Sequence, residues 1–138
     1  FLHWGHDISP EENQYEAGLN FTISYKKEIN FVGKDSLLKI KDKKQNRRFI
    51  MLSLKESKPS TPLLLHEEPI YLGDKIIGRT TSGNYSFNYK KNLSFGYVSS
   101  THSNEQLSKM DLYIEVAKQK YPVMVEITPL KDKQARFL

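Results

Sequence analysis

The chain of 138 residues has no cysteine. Disulfides, thiolate metal sites and cysteine nucleophiles are therefore excluded, and a cytosolic or organellar-matrix protein fits. Long apolar runs are missing too. The longest unbroken aliphatic stretch is Leu63-Leu64-Leu65, far below the roughly 20 residues of a membrane-spanning helix. A membrane partner is not expected. No internal repeat, low-complexity tract or signal-like segment is visible. Nor does a methionine open the chain, which starts "FLHWGHDI" in mid-pattern. It reads as a fragment of something longer.

What is present points to a packed fold. Aromatic residues make up 12% and hydrophobic residues 38%, enough for one domain, or one small domain with an extra piece attached. The formal charge of +5 suits an anionic partner such as nucleic acid, a phosphorylated cofactor or a polycarboxylate. Lysines spread over a solvated surface account for the same number without a partner.

Periodicity sets the architecture. Leu19–Lys27, "LNFTISYKK", alternates apolar Phe21, Ile23 and Tyr25 with polar neighbours and predicts a half-buried strand. The next segment switches period. Asp35 or Ser36 caps a predicted helix whose apolar face is Leu37, Leu38 and Ile40, fading near residue 44. From Arg47 the pattern is almost wholly β, with Ile50, Leu52 and Leu54 on one face of "RRFIMLSL". Leu72-Gly73-Asp74-Lys75 predicts a hairpin turn, "LSFGYV" a further strand, and Lys118-Gln119-Lys120 a turn between "DLYIEVA" and "YPVMVEI". Strands at this spacing imply a small barrel or sandwich. A boundary is expected near Gln45-Asn46.

Several stretches invite a chemical reading. In "GRTTSGNYS", Gly78 and Gly83 are five apart, but Asn84 stands where a phosphate loop needs lysine and a strand pattern follows. Ser82 is not in a Gly-x-Ser-x-Gly elbow either. A bulge or bend in a strand fits better, with the hydroxyls of Thr81, Ser82 and Ser86 meeting freed backbone groups. His3 and His6 beside Asp7 are metal-ligand types, but Gly5 between them argues against a helical turn and no third ligand stands at recognisable spacing. Trp4 offers a stacking face and Glu16 a carboxylate for the N–H groups of an aminopyrimidine-like ring. The same two residues serve equally as a loop anchor and a strand-end cap. Arg47-Arg48 reads either as a fork for an anion or as the solvated start of a strand. Phe21, Phe95 and Tyr97 are expected to face inward or to alternate with polar residues, which is unlike a nucleic-acid stacking platform. No convincing catalytic set emerges.

At this point "EAGLNFTISYKKEINFVGKDSLLKIK", "RRFIMLSL", "GDKIIG", the Gly78, Thr81-Ser82-Gly83, Ser86 series and "LSFGYV" resemble the folate-dependent aminomethyltransferase (glycine cleavage T-protein) family. The likeness runs from about Phe1 to Leu130. "HWGHDI" and "EAGL" look most like the branch fused behind flavin-dependent dimethylglycine and sarcosine dehydrogenases.

The resemblance implies a mainly β, α+β fold. Residues 1–45 would be the strand–helix end of a ferredoxin-like folate-binding domain, and residues 46–138 a C-terminal antiparallel β-barrel. It implies tetrahydrofolate as cofactor, with FAD only in an N-terminal domain outside this chain. Trp4 would then lie at the folate mouth, Glu16 in the Glu-Ala-Gly-Leu motif, and Arg47 by the glutamyl tail. The expected partners are folate and the rest of a parent polypeptide, without nucleic acid or membrane, together with homo-oligomerisation through an orphaned sheet edge in residues 1–45. The segment alone would be inactive; the parent would sit in the cytoplasm of a bacterium or the mitochondrial matrix of a eukaryote. The competing reading is a stand-alone basic β-barrel that binds nucleic acid or a protein partner without catalysis.

Overall fold

A computed structural model describes residues 2–99, 101–126 and 130. Six strands form one closed antiparallel barrel: β1 (Arg47–Leu54), β2 (Pro69–Leu72), β3 (Lys75–Ser86), β4 (Lys91–Ser99), β5 (Leu112–Val116) and β6 (Gln119–Glu126), in the order β1-β4-β3-β2-β5-β6. The mainly β architecture expected from the strand spacing is thus present. Closure leaves the barrel no free sheet edge.

Alternation fills the interior. Ile50, Leu52 and Leu54 of β1 point inward as their spacing predicts, and they meet Ile70, Val98, Leu112, Ile114 and Val123 from the other walls. Leu64 and Leu107, from the connections, complete the core. The opposite face of β1 and β4 carries Phe49, Phe95 and Tyr97, with the Phe49 ring 5.2 Å from Phe95 and 5.1 Å from Tyr97. Of the two expectations for Phe95 and Tyr97, alternation describes them better than an inward position: Ser94, Gly96 and Val98 take the interior phase, while Tyr97 is buried on the other face.

The turns follow backbone chemistry. Gly73, at φ 59°, opens the β2–β3 hairpin where it was expected. The β5–β6 turn lies one residue earlier than predicted, at Ala117-Lys118, with Val116 paired to Gln119. Both turn residues have positive φ, 50° and 65°, as a two-residue turn must to match the strand twist. Ile127, the last residue of the expected final strand, lies outside the described residues.

Before the barrel the outcome is different. Leu19–Lys27 forms no strand: a single 3-10 turn spans Asn20–Thr22 and Phe21 is exposed. Alternating residues need a neighbouring strand to complete their hydrogen bonds, and none lies alongside among the described residues. The orphaned sheet edge expected in residues 1–45 is accordingly missing from them. The predicted helix is present as α1 (Lys34–Ile40), but Gly33, at φ 88°, precedes it as cap rather than Asp35 or Ser36. A second short helix, α2 (Asn104–Leu107), follows β4. No described helix is long and apolar enough to cross a membrane.

The "GRTTSGNYS" stretch lies within β3 and does bend it. Its register against β4 shifts between Thr80 and Ser82, so Thr81 is the extra residue of a bulge. The glycines permit close approach. A Cβ at Gly78 would lie 2.0 Å from the Tyr97 carbonyl oxygen, and one at Gly96 2.5 Å from that of Arg79. Backbone at that distance cannot yield as a side chain can. Gly78→Ala is therefore expected to destabilise the barrel by about 2 kcal/mol or more, as overpacking does. A urea midpoint within error of the unsubstituted chain would contradict this.

Candidate functional site

β6 leaves β1 early. The two strands pair only over Met51–Leu54, and Phe49 N–H donates instead to the Glu16 carbonyl, 2.8 Å away. The segment before residue 20 thereby completes the ladder of β1 and lies across its outer face. We call residues 2–20 the strap.

The strap is folded by its own polar groups. His3 carbonyl accepts from the N–H of His6 and Asp7, at 3.2 and 2.8 Å, with Gly5 supplying φ 91° inside the turn. Ser9 donates through its N–H and its hydroxyl to Glu12 Oε2, at 2.8 and 2.6 Å. Asn13 Oδ1 accepts from the N–H of Tyr15 and Glu16.

Asp7 pins this fold to the barrel. Its side chain is 1% exposed, a burial that only full hydrogen bonding permits. Oδ1 accepts from the Thr81 and Ser82 hydroxyls at 2.5 and 2.8 Å, while Oδ2 accepts from His3 N–H at 2.8 Å. Tyr97 hydroxyl donates to the Asp7 carbonyl at 3.0 Å. The hydroxyls of Thr81 and Ser82 thus bind a carboxylate from the strap rather than the freed backbone groups expected of them. Thr81 reaches Asp7 because it is the bulged residue.

Arg47 makes the second attachment. Its Nη2 lies 3.0 Å from Glu12 Oε1 and donates to the Glu11 carbonyl at 3.1 Å, and Nε lies 3.5 Å from Glu16 Oε1. The guanidinium also sits over the Tyr97 ring at 5.1 Å. Burial raises the Tyr97 phenol well above the ordinary tyrosine range. The Glu12, Glu16 and Asp7 charges add to the rise and Arg47 opposes it.

Of the expected site residues, the structure joins Glu16 and Arg47 in one ion-paired group. Trp4 stands apart, 70% exposed, in a one-residue bridge with Ile8. The histidines gain a neighbour that spacing did not reveal: the His6 ring lies 4.6 Å from His3 and 5.6 Å from His66. Even so, no group of three or more His, Asp or Glu among the described residues is disposed to hold a metal. Asp7 and Glu12 in the strap and Tyr97 in the barrel were not foreseen as its points of attachment. Asp7 carried one weak signal, being an acid within an apolar, aromatic stretch.

A six-stranded closed barrel with an N-terminal strap bonded across its outer wall defines the class. Residues 47–132 match the family model of the glycine cleavage T-protein C-terminal barrel domain, and the chain belongs to that family. It is 32% identical over its whole length to 4-methylaminobutanoate oxidase (formaldehyde-forming) of Paenarthrobacter nicotinovorans, covering 16% of that protein. Over 94% of the chain it is 33% identical to the mitochondrial dimethylglycine dehydrogenase of Homo sapiens, covering 14% of it. The aminomethyltransferase of Symbiobacterium thermophilum is 32% identical over 72% of the chain, which covers 26% of that enzyme. The crystal structure of glycine cleavage system aminomethyltransferase T from Bartonella henselae superposes with a TM-score of 0.78 at 19% identity, over 94% of the chain and 35% of the enzyme, and shows the same fold. The chain therefore spans about a third or less of each of these proteins.

Two outcomes follow from the attachments. Asp7→Ala strands the Thr81 and Ser82 hydroxyls and should loosen the strap by about 1–3 kcal/mol. Hydrogen exchange at the amides of position 7, Ala17 and Phe49 should quicken while Leu52 in the barrel stays protected; equal loss at all four would refute a separate strap. The raised Tyr97 phenol gives a pH test. Its contribution is complete below about pH 10, where the phenol is protonated in both states. Above that the unfolded chain sheds the proton and the folded chain keeps it, so stability falls as pH rises. Tyr97→Phe should cost about 1 kcal/mol near neutrality and make the alkaline fall shallower in urea titrations. An unchanged alkaline slope would reject the assignment.

Proposed function

We propose that the chain acts within a folate-dependent aminomethyltransferase or an N-methylglycine dehydrogenase-like parent, where it forms part of the tetrahydrofolate surface. In this reading residues 1–45 complete the folate-binding domain and residues 46–138 form the barrel beside it. Its relatives support it, a dimethylglycine dehydrogenase matched over 94% of the chain and an aminomethyltransferase over 72%. Flavin chemistry, if the parent is a dehydrogenase, belongs to another domain. The setting is then the bacterial cytoplasm or the mitochondrial matrix, since relatives of both origins are known.

The site chemistry is compatible with folate in specific ways. The exposed ring of Trp4 offers a face on which a pterin or benzoyl ring can stack. Arg47 has five N–H donors, and its ion pairs use Nη2 and Nε. Nη1, which takes no part in these contacts among the described residues, would meet a carboxylate of the glutamyl tail. Glu16 orients that guanidinium and presents a carboxylate beside it. Bound tetrahydrofolate would supply the nitrogen that captures the one-carbon unit. These side chains would hold and orient it, and positioning of that kind provides much of the gain in a group transfer. The observation that carries the reading is the Glu16–Arg47 pair, formed between the strap motif and the first residue of β1.

Titration calorimetry with 5-formyltetrahydrofolate tests this. Weak saturable binding is expected, and the Glu16→Ala/Arg47→Ala double variant should abolish it while the barrel's urea midpoint moves little. No heat at about millimolar ligand, equivalent to under about 4 kcal/mol of binding, would remove the folate contacts from this chain.

A further inference from the structure

A second cleft opens at the barrel end where β1 begins and β4 finishes. The antiparallel pairing of Arg47 with Ser99 brings the segment entering β1 against the stretch that follows β4. Between them lies a cavity of about 420 Å³ whose lining includes Tyr15, Lys43, Lys44, Arg47, His102 and Ser103. That volume accommodates a small molecule.

The walls share one chemical character. Among the described residues no carboxylate lines the cleft, although the Asp42 charge acts on Tyr15 from nearby. Lys43 and Lys44 are exposed, and neither ammonium forms an ion pair among the described residues. Arg47 contributes little net charge here, since Glu12 and Glu16 face its guanidinium from the strap. Thr101 and Ser103 bring hydroxyls. The Tyr15 hydroxyl meets that of Tyr25 at 2.5 Å; burial first, then this contact, pushes it up to about 12, so it stays a protonated phenol at neutral pH.

Cations and hydroxyls without acids recognise anionic oxygens. Clustered like charges repel one another unless something neutralises them, and a ligand with several negative groups does so at once. We infer that this cleft binds a small polyanion, an oligocarboxylate or oligophosphate, gripped chiefly by Lys43 and Lys44. Single-stranded nucleic acid fits less well, because stacking needs exposed aromatic faces and the two rings here, Tyr15 and His102, are both half-buried, with the Tyr15 hydroxyl tied to Tyr25. The site shares Arg47 with the folate reading but goes beyond it, since Lys43 and Lys44 are not among that reading's contacts, Trp4, Glu16 and Arg47.

The test titrates triglutamate and, separately, tripolyphosphate into the full chain at low and physiological ionic strength. One site is expected, weakened about tenfold or more in Lys43→Glu/Lys44→Glu. Lys75→Glu/Lys118→Glu, with the same charge change elsewhere on the barrel, should bind as the unsubstituted chain does. A preference for triglutamate identifies a carboxylate ligand and one for tripolyphosphate a phosphate ligand; either supports the site. Equal weakening in both double variants would overturn it, leaving only general attraction. Tighter, steeply salt-dependent binding of an oligonucleotide would also overturn it. Silence with both polyanions would end the inference while leaving the 5-formyltetrahydrofolate titration, which reads Glu16 and Arg47, to stand or fall by itself.

Discussion

A single backbone group governs how the two parts of this protein meet. Because β6 pairs with β1 only from Met51 onward, the N–H of Phe49 has no partner within the barrel. The Glu16 carbonyl satisfies it, and an unmet donor there would cost as much as a lost hydrogen bond. Once Glu16 is fixed at that position, its side chain reaches Arg47, the strap crosses the aromatic face of Phe49 and Tyr97, and Asp7 arrives over the bulge of β3. The attachments are few, but they lie on three different strands, so the strap has one orientation.

Hydrophobic and ionic contributions are divided unevenly along the chain. The barrel rests on aliphatic burial, with Leu52, Ile70 and Ile114 fully enclosed, and its polar interior is paired: Asn92 donates to the carbonyls of Lys58 and Thr61. The strap buries little apolar surface besides Ala17 and depends on hydrogen bonds and one shared guanidinium. Residues 21–40 have still less, with Phe21, Ile29 and Val32 all strongly exposed. Local stability should decline in the same order, from barrel to strap to that segment.

The barrel was legible because its signals are local. Period-two alternation located β1, Gly73-Asp74 located a hairpin, and the glycine-rich stretch announced the bend in β3. The β5–β6 turn was misplaced by one residue because Ala117 and Lys118 adopt positive φ without glycine or asparagine to advertise it. Leu19–Lys27 failed for another reason: alternation reports a face that could be buried, and no neighbouring strand exists among the described residues to bury it. Glu16 and Arg47 could be singled out from the sequence, but their pairing could not, nor the separate position of Trp4. Pairs such as Asp7 with Ser82 and Arg47 with Glu12 are separated by tens of residues, and only the closed barrel brings them within reach.

The bulge at Thr81 also acts as a phase marker. On either side of it β3 reads in opposite frames, so deleting one residue there would restore a regular ladder to β4 and lose nothing from the barrel's own pairing. It would, however, leave only one of two adjacent hydroxyls on the face that meets Asp7. Substitutions in β3 away from Thr81 and Ser82 therefore test the barrel, whereas a change of length by a single residue tests its fastening to the strap. Insertions and deletions in this strand should be far more constrained than the chemistry of its side chains suggests.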